Sequence, residues 1–203
     1  MGLYAERLRP RLHDTALGPR VTGAIRERVC AGLAGDVLEI GFGSGHNLPH
    51  LPPEVTGVWA VEPSAGALRL SEPRRAASAV AVVVAGDDAR ALPFPDGRFD
   101  AALCTWVLCG VPGAAVALAE VARVLRPGGV LRLVEHGRAP DPGVRRLQRL
   151  GNPVNRAVAG CVLDNDVEAL LAASPLTVTR LAHRYLPGGP RSLGSLYEGR
   201  AVA

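Results

Sequence analysis

Three sets of residues in this chain have the types and spacing that chemistry needs. The first is the glycine loop Glu39-Ile40-Gly41-Phe42-Gly43-Ser44-Gly45, which begins inside the apolar run Val37 to Ile40. Glycine adopts backbone angles closed to other residues and lets a ligand approach the main chain. The dinucleotide pattern G-x-G-x-x-G is not met, because its last position holds His46. Pro49 and Pro52 also cut short the helix whose N-terminus would receive a pyrophosphate. The second set is carboxylates that directly follow apolar runs: Glu62, then Asp87 and Asp88. A carboxylate in the place of Glu62 can accept from both hydroxyls of a ribose, and its alternative is a solvated strand end. Adjacent carboxylates are rarely both buried, so one of Asp87 and Asp88 is expected to face a cleft. It would accept from an adenine amine there while the Ala89 amide donates to the ring. The third set is polar and scattered: His13, Asp14, Trp106, Glu135, His136, Cys161 and Asp164.

These residues need elements to hold them at one place. Short apolar runs at Val37–Ile40, Gly57–Glu62, Val80–Ala85, Phe99–Thr105 and Val130–Glu135 read as strands. Two more are expected at Leu176–Tyr185 and Ser195–Ala203. Val21, Ile25, Val29 and Leu33 recur every four residues, a helical spacing. Ala115, Leu118, Ala122 and Leu125 give one face to a helix over 112–125 that Pro127-Gly128-Gly129 stops. A further helix is expected over 166–173. Strands alternating with helices argue for an open, largely parallel α/β sheet. Such sheets bind ligands beyond the carboxyl ends of their strands. Gly41–Gly45, Glu62, Asp87-Asp88, Thr105-Trp106 and Glu135-His136 all fall at such ends.

The bulk composition sets bounds on this reading. A chain of 203 residues, 48% hydrophobic and 21% charged, fits one globular domain, taken as 1–203. Residues 1–20 read as an N-terminal lid or flap, and 137–165 as a segment that covers a substrate. The net charge of +4 comes from dispersed arginines, and aromatic residues are only 4%, so no nucleic-acid partner is expected. The charge suits an anionic substrate or membrane surface better. Cys30, Cys104, Cys109 and Cys161 form no Cys-x-x-Cys pair and no ligand spacing with histidine, so no metal is expected. Cys30, Cys104 and Cys109 sit among apolar residues and read as reduced core cysteines. No apolar run approaches the roughly 18 residues of a spanning helix, and the start lacks a signal-peptide run. A cytoplasmic protein without a transmembrane segment is expected, with its oligomeric state open.

Val37–Gly45, Gly86–Phe94 and Leu125–Gly129 resemble the S-adenosylmethionine (SAM) motifs of the class I methyltransferases, in the subgroup called type 11. Gly86-Asp87-Asp88-Ala89-Arg90-Ala91-Leu92-Pro93-Phe94 followed by Asp96-Gly97-Arg98-Phe99-Asp100 is similar to that group's G-D-A-x-x-L-P-F-x-D-x-S-F-D segment. Counting back from Leu92 puts Asp88 at the adenine position and leaves Asp87 as an additional residue. The resemblance covers about 36–135. It implies a Rossmann-like open sheet in the order 3-2-1-4-5-7-6, mostly parallel with the last strand antiparallel and helices on both faces. It also implies SAM as cofactor, with S-adenosylhomocysteine as product. The cofactor would be held by Glu39, Gly41, Gly43, Gly45 and Asn47, by Glu62 and Pro63, by Asp88 and Ala89, and by Cys104 and Thr105.

A narrower similarity runs through Cys104-Thr105-Trp106-Val107-Leu108-Cys109-Gly110-Val111, Glu135-His136 and Gly160-Cys161. It points to the methyltransferase-like thiol S-methyltransferases, a group that shades into ubiquinone-pathway and phosphatidylethanolamine enzymes. A protic acceptor must lose its proton, and the candidate bases are His136 and Glu135 on the rim, with His13, Asp14 and Asp164 from other segments. His136 and Asp164 are taken as catalytic, while His13 and Asp14 read rather as solvated polar residues of the flap. Trp106 and Cys161 are candidate walls of the acceptor pocket. A hydrogen-bonded loop histidine and an inert buried cysteine are the alternatives for His136 and Cys161. The acceptor implied is a small molecule, with a thiol ahead of oxygen or nitrogen acceptors among metabolites, natural products and phospholipid headgroups. A nicotinamide oxidoreductase and a non-catalytic SAM-binding subunit are the competing functions.

Overall fold

Two hydrophobic clusters on opposite faces of one sheet set the architecture. The computed structural model describes residues 4–203. Seven strands form the sheet: β1 (Gly35–Ile40), β2 (Val55–Val61), β3 (Ala81–Gly86), β4 (Phe99–Thr105), β5 (Leu125–His136), β6 (Thr177–Tyr185) and β7 (Ser195–Val202). Their order is β3-β2-β1-β4-β5-β7-β6. The pairs from β3 to β5 are parallel, and β7 runs antiparallel to both β5 and β6. Six α-helices accompany them: α1 (Arg9–Ala16), α2 (Pro19–Cys30), α3 (Ala65–Ala76), α4 (Ala114–Val124), α5 (Pro142–Ala159) and α6 (Val167–Ala172).

The central strands β1 and β4 are buried on both faces, which is why they read as continuous apolar runs rather than alternating ones. Leu38 and Ile40 join Leu118, Val121, Val167 and Leu171 of α4 and α6 on one face. Val37, Val58 and Leu103 join Ile25 and Val29 of α2 on the other. The expected order, strand directions and two-faced helix layers are all present.

Several local boundaries differ from the sequence reading. Helix α4 stops at Val124, and Leu125 already pairs with Phe99, so Pro127-Gly128-Gly129 forms an irregularity inside β5 rather than a helix stop. Helix α3 was not expected. Ser64 caps it, its Oγ accepting from the Ala67 amide at 3.1 Å, and the helix tolerates Pro73 near its end. Helix α5 turns most of the expected covering segment 137–165 into an 18-residue helix despite Gly151 and Pro153. As expected, only a short 3-10 turn, Leu48–His50, follows the glycine loop. The expected flap is a helical turn, Tyr4–Leu8, leading into α1; residues 1–3 of that expectation lie outside the described residues. No helix among the described residues is long and apolar enough to cross a membrane.

Candidate active site

The carboxyl ends of β1, β2, β3, β4 and β5 open into one cavity of about 920 Å³, roofed by α1 and the end of α5. That lies near the upper end of the roughly 300–1,000 Å³ typical of small-ligand sites. It leaves room for a nucleoside-sized cofactor beside a second small molecule. At the β1 end, Gly41, Gly43 and Gly45 all have positive φ, +64°, +58° and +79°. They do different jobs. A Cβ on Gly41 would lie 2.2 Å from Val107 Cγ2, so that glycine lets two loops pack. A Cβ on Gly43 would meet only the Gly41 carbonyl, at 3.8 Å, and would stand in the cavity. The loop thus offers bare main chain to a ligand at Gly43.

Glu62 fixes that loop. Its Oε2 accepts from the Gly43 amide and its Oε1 from the Ser64 amide, both at 2.8 Å. Burial pushes its carboxyl above the usual range, and the two amides oppose that. Each oxygen keeps a free lone-pair direction, and the residue lines the cavity. This donor-rich loop beside a half-buried carboxylate fits a ribose with an amino-acid tail. We expect Glu62→Ala to weaken SAM binding by about 1–3 kcal/mol, because hydroxyl acceptors and the loop tether are lost together. Titration calorimetry that finds equal affinity in the folded variant would remove Glu62 from the site.

Asp87, Asp88 and Ala89 also line the cavity. Asp88 is gripped by Arg90, with Oδ1 2.9 Å from Nε and Oδ2 2.8 Å from Nη2; these bonds hold its carboxyl down to about 2. Geometry therefore leaves both aspartates at the wall, and the motif spacing singles out Asp88. Asp88→Asn should reduce cofactor affinity more than Asp87→Asn in parallel titrations. The reverse order would move the register by one residue.

Glu39, Gly45, Asn47 and Cys104 do not reach the cavity surface. Three of them belong to buried networks behind it. Asn47 Nδ2 donates to Glu39 Oε1 at 2.8 Å and to Thr105 Oγ1 at 3.0 Å, while Arg26 Nη1 donates to Asn47 Oδ1 at 2.6 Å. Burial raises Glu39 to about 7 and lowers Arg26 to about 10. Arg26 lines the cavity and stacks its guanidinium 4.9 Å from the Trp106 ring centroid. Sequence reasoning missed Arg26, because α2 was read only through its apolar stripe. Thr105, Trp106 and Pro63 do line the cavity, as expected. Trp106 is the one described non-glycine residue with positive φ, +56°, a conformation that tends to mark functional loops.

Glu135 is not a rim base. It is fully buried and points under the loop after β4. Its Oε1 accepts from the amides of Val107 and Leu108 at 2.8 and 2.9 Å, and its Oε2 from that of Cys109 at 3.3 Å. Cys104 adds a thiol contact at 3.4 Å. His136, the next residue, lies on the opposite side of the pleat and lines the cavity. Asp164 is placed away from it: Oδ1 accepts from Asn152 Nδ2 at 2.6 Å, and Arg149 stands 3.8 Å off. The structure does not bring Asp164 to His136.

Cys109 is not an ordinary core cysteine. It meets Cys161 and His136 at the cavity wall, with the two sulfurs 2.7 Å apart and sharing one hydrogen bond. That bond, more than the nearby imidazole, lowers the Cys161 thiol below its ordinary range and drives Cys109 well up. Overhead, His13 and Asp14 are latches rather than solvated residues. His13 Nε2 is 3.0 Å from the Ala159 carbonyl, and Asp14 pairs with Arg74 at 3.0 Å.

Comparison with known proteins speaks to the family and the fold. Residues 38–133 match the family model described as a methyltransferase domain. The chain is 32% identical over 170 residues to the Homo sapiens thiol S-methyltransferase TMT1B, covering 78% of this chain and 68% of that protein. It is 35% identical over 118 residues to the ubiquinone/menaquinone biosynthesis C-methyltransferase UbiE of Nitrosospira multiformis, covering 58% and 48%. The solved N-methyltransferase NodS from Bradyrhizobium japonicum, in complex with S-adenosylhomocysteine, superposes with a TM-score of 0.65 at 17% identity over 90% of this chain and 85% of that one. At that identity the last likeness speaks to the fold.

Proposed function

The chain belongs to the class I SAM-dependent methyltransferases, and from that premise we propose that it methylates a small, lipophilic acceptor at a thiol. SAM supplies an activated methyl group on a sulfonium when bound. The residues suited to hold it are those at the strand ends: the Gly41–Gly43 main chain for the amino-acid portion, Glu62 for the ribose, and Asp88 with the Ala89 amide for the adenine. Arg26 and Trp106 close that wall from the α2 side.

What remains for the protein is to position the acceptor and manage its proton. One observation supports a thiol: among the described residues, no carboxylate base stands at the acceptor end. Glu135 is turned under the loop, and Asp164 is tied to Asn152. A thiol has a pKa near 8.5, so a few per cent is thiolate at neutral pH without a strong base. A phenol near 10, or a protonated amine, leans harder on one. The similarity to a thiol S-methyltransferase points the same way. We read the enzyme as a single domain, 1–203, with the α1 flap and α5 segment covering the acceptor, and as cytoplasmic and working without nucleic acid. Four free cysteines suit a reducing compartment.

The test pairs thiol and phenol analogues of one scaffold, with amines and phospholipid headgroups alongside, and detects methylated product by mass spectrometry. Thiols should turn over fastest, with a rate that climbs with pH until the bound thiol is deprotonated. Good turnover of phenols or amines with inert thiols would replace the thiol by an oxygen or nitrogen acceptor. Calorimetric binding of NAD in place of SAM would point to an oxidoreductase. SAM binding with no acceptor turned over would leave a non-catalytic binding protein.

A further inference from the structure

Cys109, His136 and Cys161 come from the loop after β4, the end of β5 and the turn after α5, and their donor atoms all lie within 4.8 Å of one another. His136 Nδ1 is 3.7 Å from Cys109 Sγ and 3.4 Å from Cys161 Sγ. Around a tetrahedral zinc, with Zn–S about 2.3 Å and Zn–N about 2.0–2.1 Å, ligand atoms stand about 3.6 Å apart for S···N and 3.8 Å for S···S. Both S···N distances are already in place. The sulfurs, 2.7 Å apart, need only separate by about 1 Å. Two sulfurs and an imidazole, with no carboxylate in the group, suit zinc and not calcium or magnesium. All three residues line the cavity, so three protein ligands would leave a fourth position open toward the acceptor.

We propose that Cys109, His136 and Cys161 bind a zinc ion whose open position takes the sulfur of the acceptor. This rests on the thiol reading above. The acceptor thiol releases its proton to solvent as it binds. Its sulfur then forms the new S–CH3 bond as the methyl–sulfonium bond breaks, and that electron pair stays on the departing S-adenosylhomocysteine sulfur. The neutral thioether is a poorer ligand and leaves. No electron is gained or lost by the metal.

The experiment measures zinc per chain by mass spectrometry after exhaustive dialysis. It also records the thiolate charge-transfer and tetrahedral d–d absorption of the cobalt-loaded full chain. The parent should retain close to one zinc. Cys109→Ser, Cys161→Ser and His136→Ala should each lose at least tenfold in affinity, while Cys30→Ser, in the α2 core, keeps it. Thermal melts without metal identify any variant that fails to fold; cobalt spectra of the parent decide the matter independently. A zinc-free parent, equal zinc in Cys109→Ser, or loss of two free thiols to a Cys109–Cys161 disulfide in place of metal uptake would each overturn the site. Zinc bound by a parent that methylates only phenols would remove the thiol acceptor and keep the metal. Zinc-free protein that turns over thiols at full rate would do the reverse.

A different observation, on the outer surface, carries a second inference. Helix α5 is built inside out. Its inner side presents amides: Gln148 is fully buried, donating to the carbonyls of Gly137 and Leu163 at 3.0 and 2.8 Å and accepting from the Ala139 amide at 3.0 Å. Its outer side presents Leu147, Leu150 and Val154, 59%, 77% and 67% exposed, on one stripe. Leu8 and Leu12 of the flap, 56% and 42% exposed, lie nearby, where Tyr4 donates to the Val158 carbonyl at 2.7 Å. The helix carries Arg145, Arg146, Arg149 and Arg156 and no acidic residue. Two such faces would repel one another, whereas anionic headgroups complement them. We infer that α5 and the flap lie on an anionic lipid surface beside the cavity, from which lipophilic acceptors enter.

Co-sedimentation tests this with vesicles of phosphatidylcholine alone and of phosphatidylcholine with phosphatidylglycerol. The parent should bind the anionic vesicles, release them in high salt, and ignore the neutral ones. The triple variant Leu147→Ser, Leu150→Ser, Val154→Ser should bind at least tenfold more weakly while keeping its turnover of a water-soluble acceptor. No binding, or equal binding to neutral vesicles, overturns the inference. So does a dimer in analytical ultracentrifugation that the triple variant abolishes, which would assign the face to a second copy.

Discussion

Gly43→Val is expected to abolish SAM and S-adenosylhomocysteine binding while the fold survives. A Cβ at position 43 meets nothing nearer than 3.8 Å, so the new side chain clashes with no protein atom at that point. It enters the space above the loop instead, beside the Gly43 amide that Glu62 holds at 2.8 Å. The stability cost comes from φ of +58°, which a β-branched residue resists, and should be about 1–2 kcal/mol. Binding should fall by a hundredfold or more, since the methyl groups fill the place of the ligand. Gly41→Ala is the control with the opposite balance. Its Cβ would sit 2.2 Å from Val107, so the loop must move and stability falls more than at position 43. Calorimetric titration with S-adenosylhomocysteine, beside thermal melts, separates the two. Normal affinity in a folded Gly43→Val chain would show that the ligand lies elsewhere.

The contrast between these two glycines also marks how much the sequence could tell. The loop, Glu62 and the Asp87-Asp88 pair were legible because each is a local signal: a glycine or carboxylate at the end of an apolar run, where an open α/β sheet must bind. Strand order followed from the family resemblance, and the pairing of β5 with β7 confirms it. Which glycine faces the cavity and which faces Val107 was not legible, since that depends on a loop 66 residues further on. Arg26 was hidden for a similar reason: its partners Asn47 and Thr105 lie 21 and 79 residues away. Helix α5 escaped notice because its core-facing residues are amides, so its apolar periodicity describes the outer face. The cysteines show the limit most sharply. Cys109 and Cys161 are 52 residues apart, and no linear ligand spacing joins them; the fold makes the cluster.

Glu135→Ala should be the most destabilising single change at the site, at about 3–5 kcal/mol. The carboxylate is fully buried and accepts three backbone amides of the loop after β4, at 2.8, 2.9 and 3.3 Å. Each amide left without a partner in the interior costs about 1–3 kcal/mol, and the cavity left by the side chain adds to that. Against a typical total of 5–15 kcal/mol, the variant sits near the edge of folding. Glu135→Gln is the informative companion. Its oxygen can serve Val107 and Leu108, but its NH2 then points donors at the Cys109 amide, so part of the loss remains. Burial lifts the Glu135 carboxyl above its unfolded value even though the amides favour the charged form. For an acid with a raised folded pKa, this group's contribution falls as pH rises between the two values; in Glu135→Gln that component should disappear. The loop clamped here carries Trp106 and Cys109, so the surviving variant should show a larger rise in acceptor KM than in cofactor Kd. Urea unfolding across pH, with steady-state kinetics on the folded Gln variant, measures both. A loss under 1 kcal/mol in Glu135→Ala would mean that the amides find other partners and that Glu135 does not hold the acceptor wall.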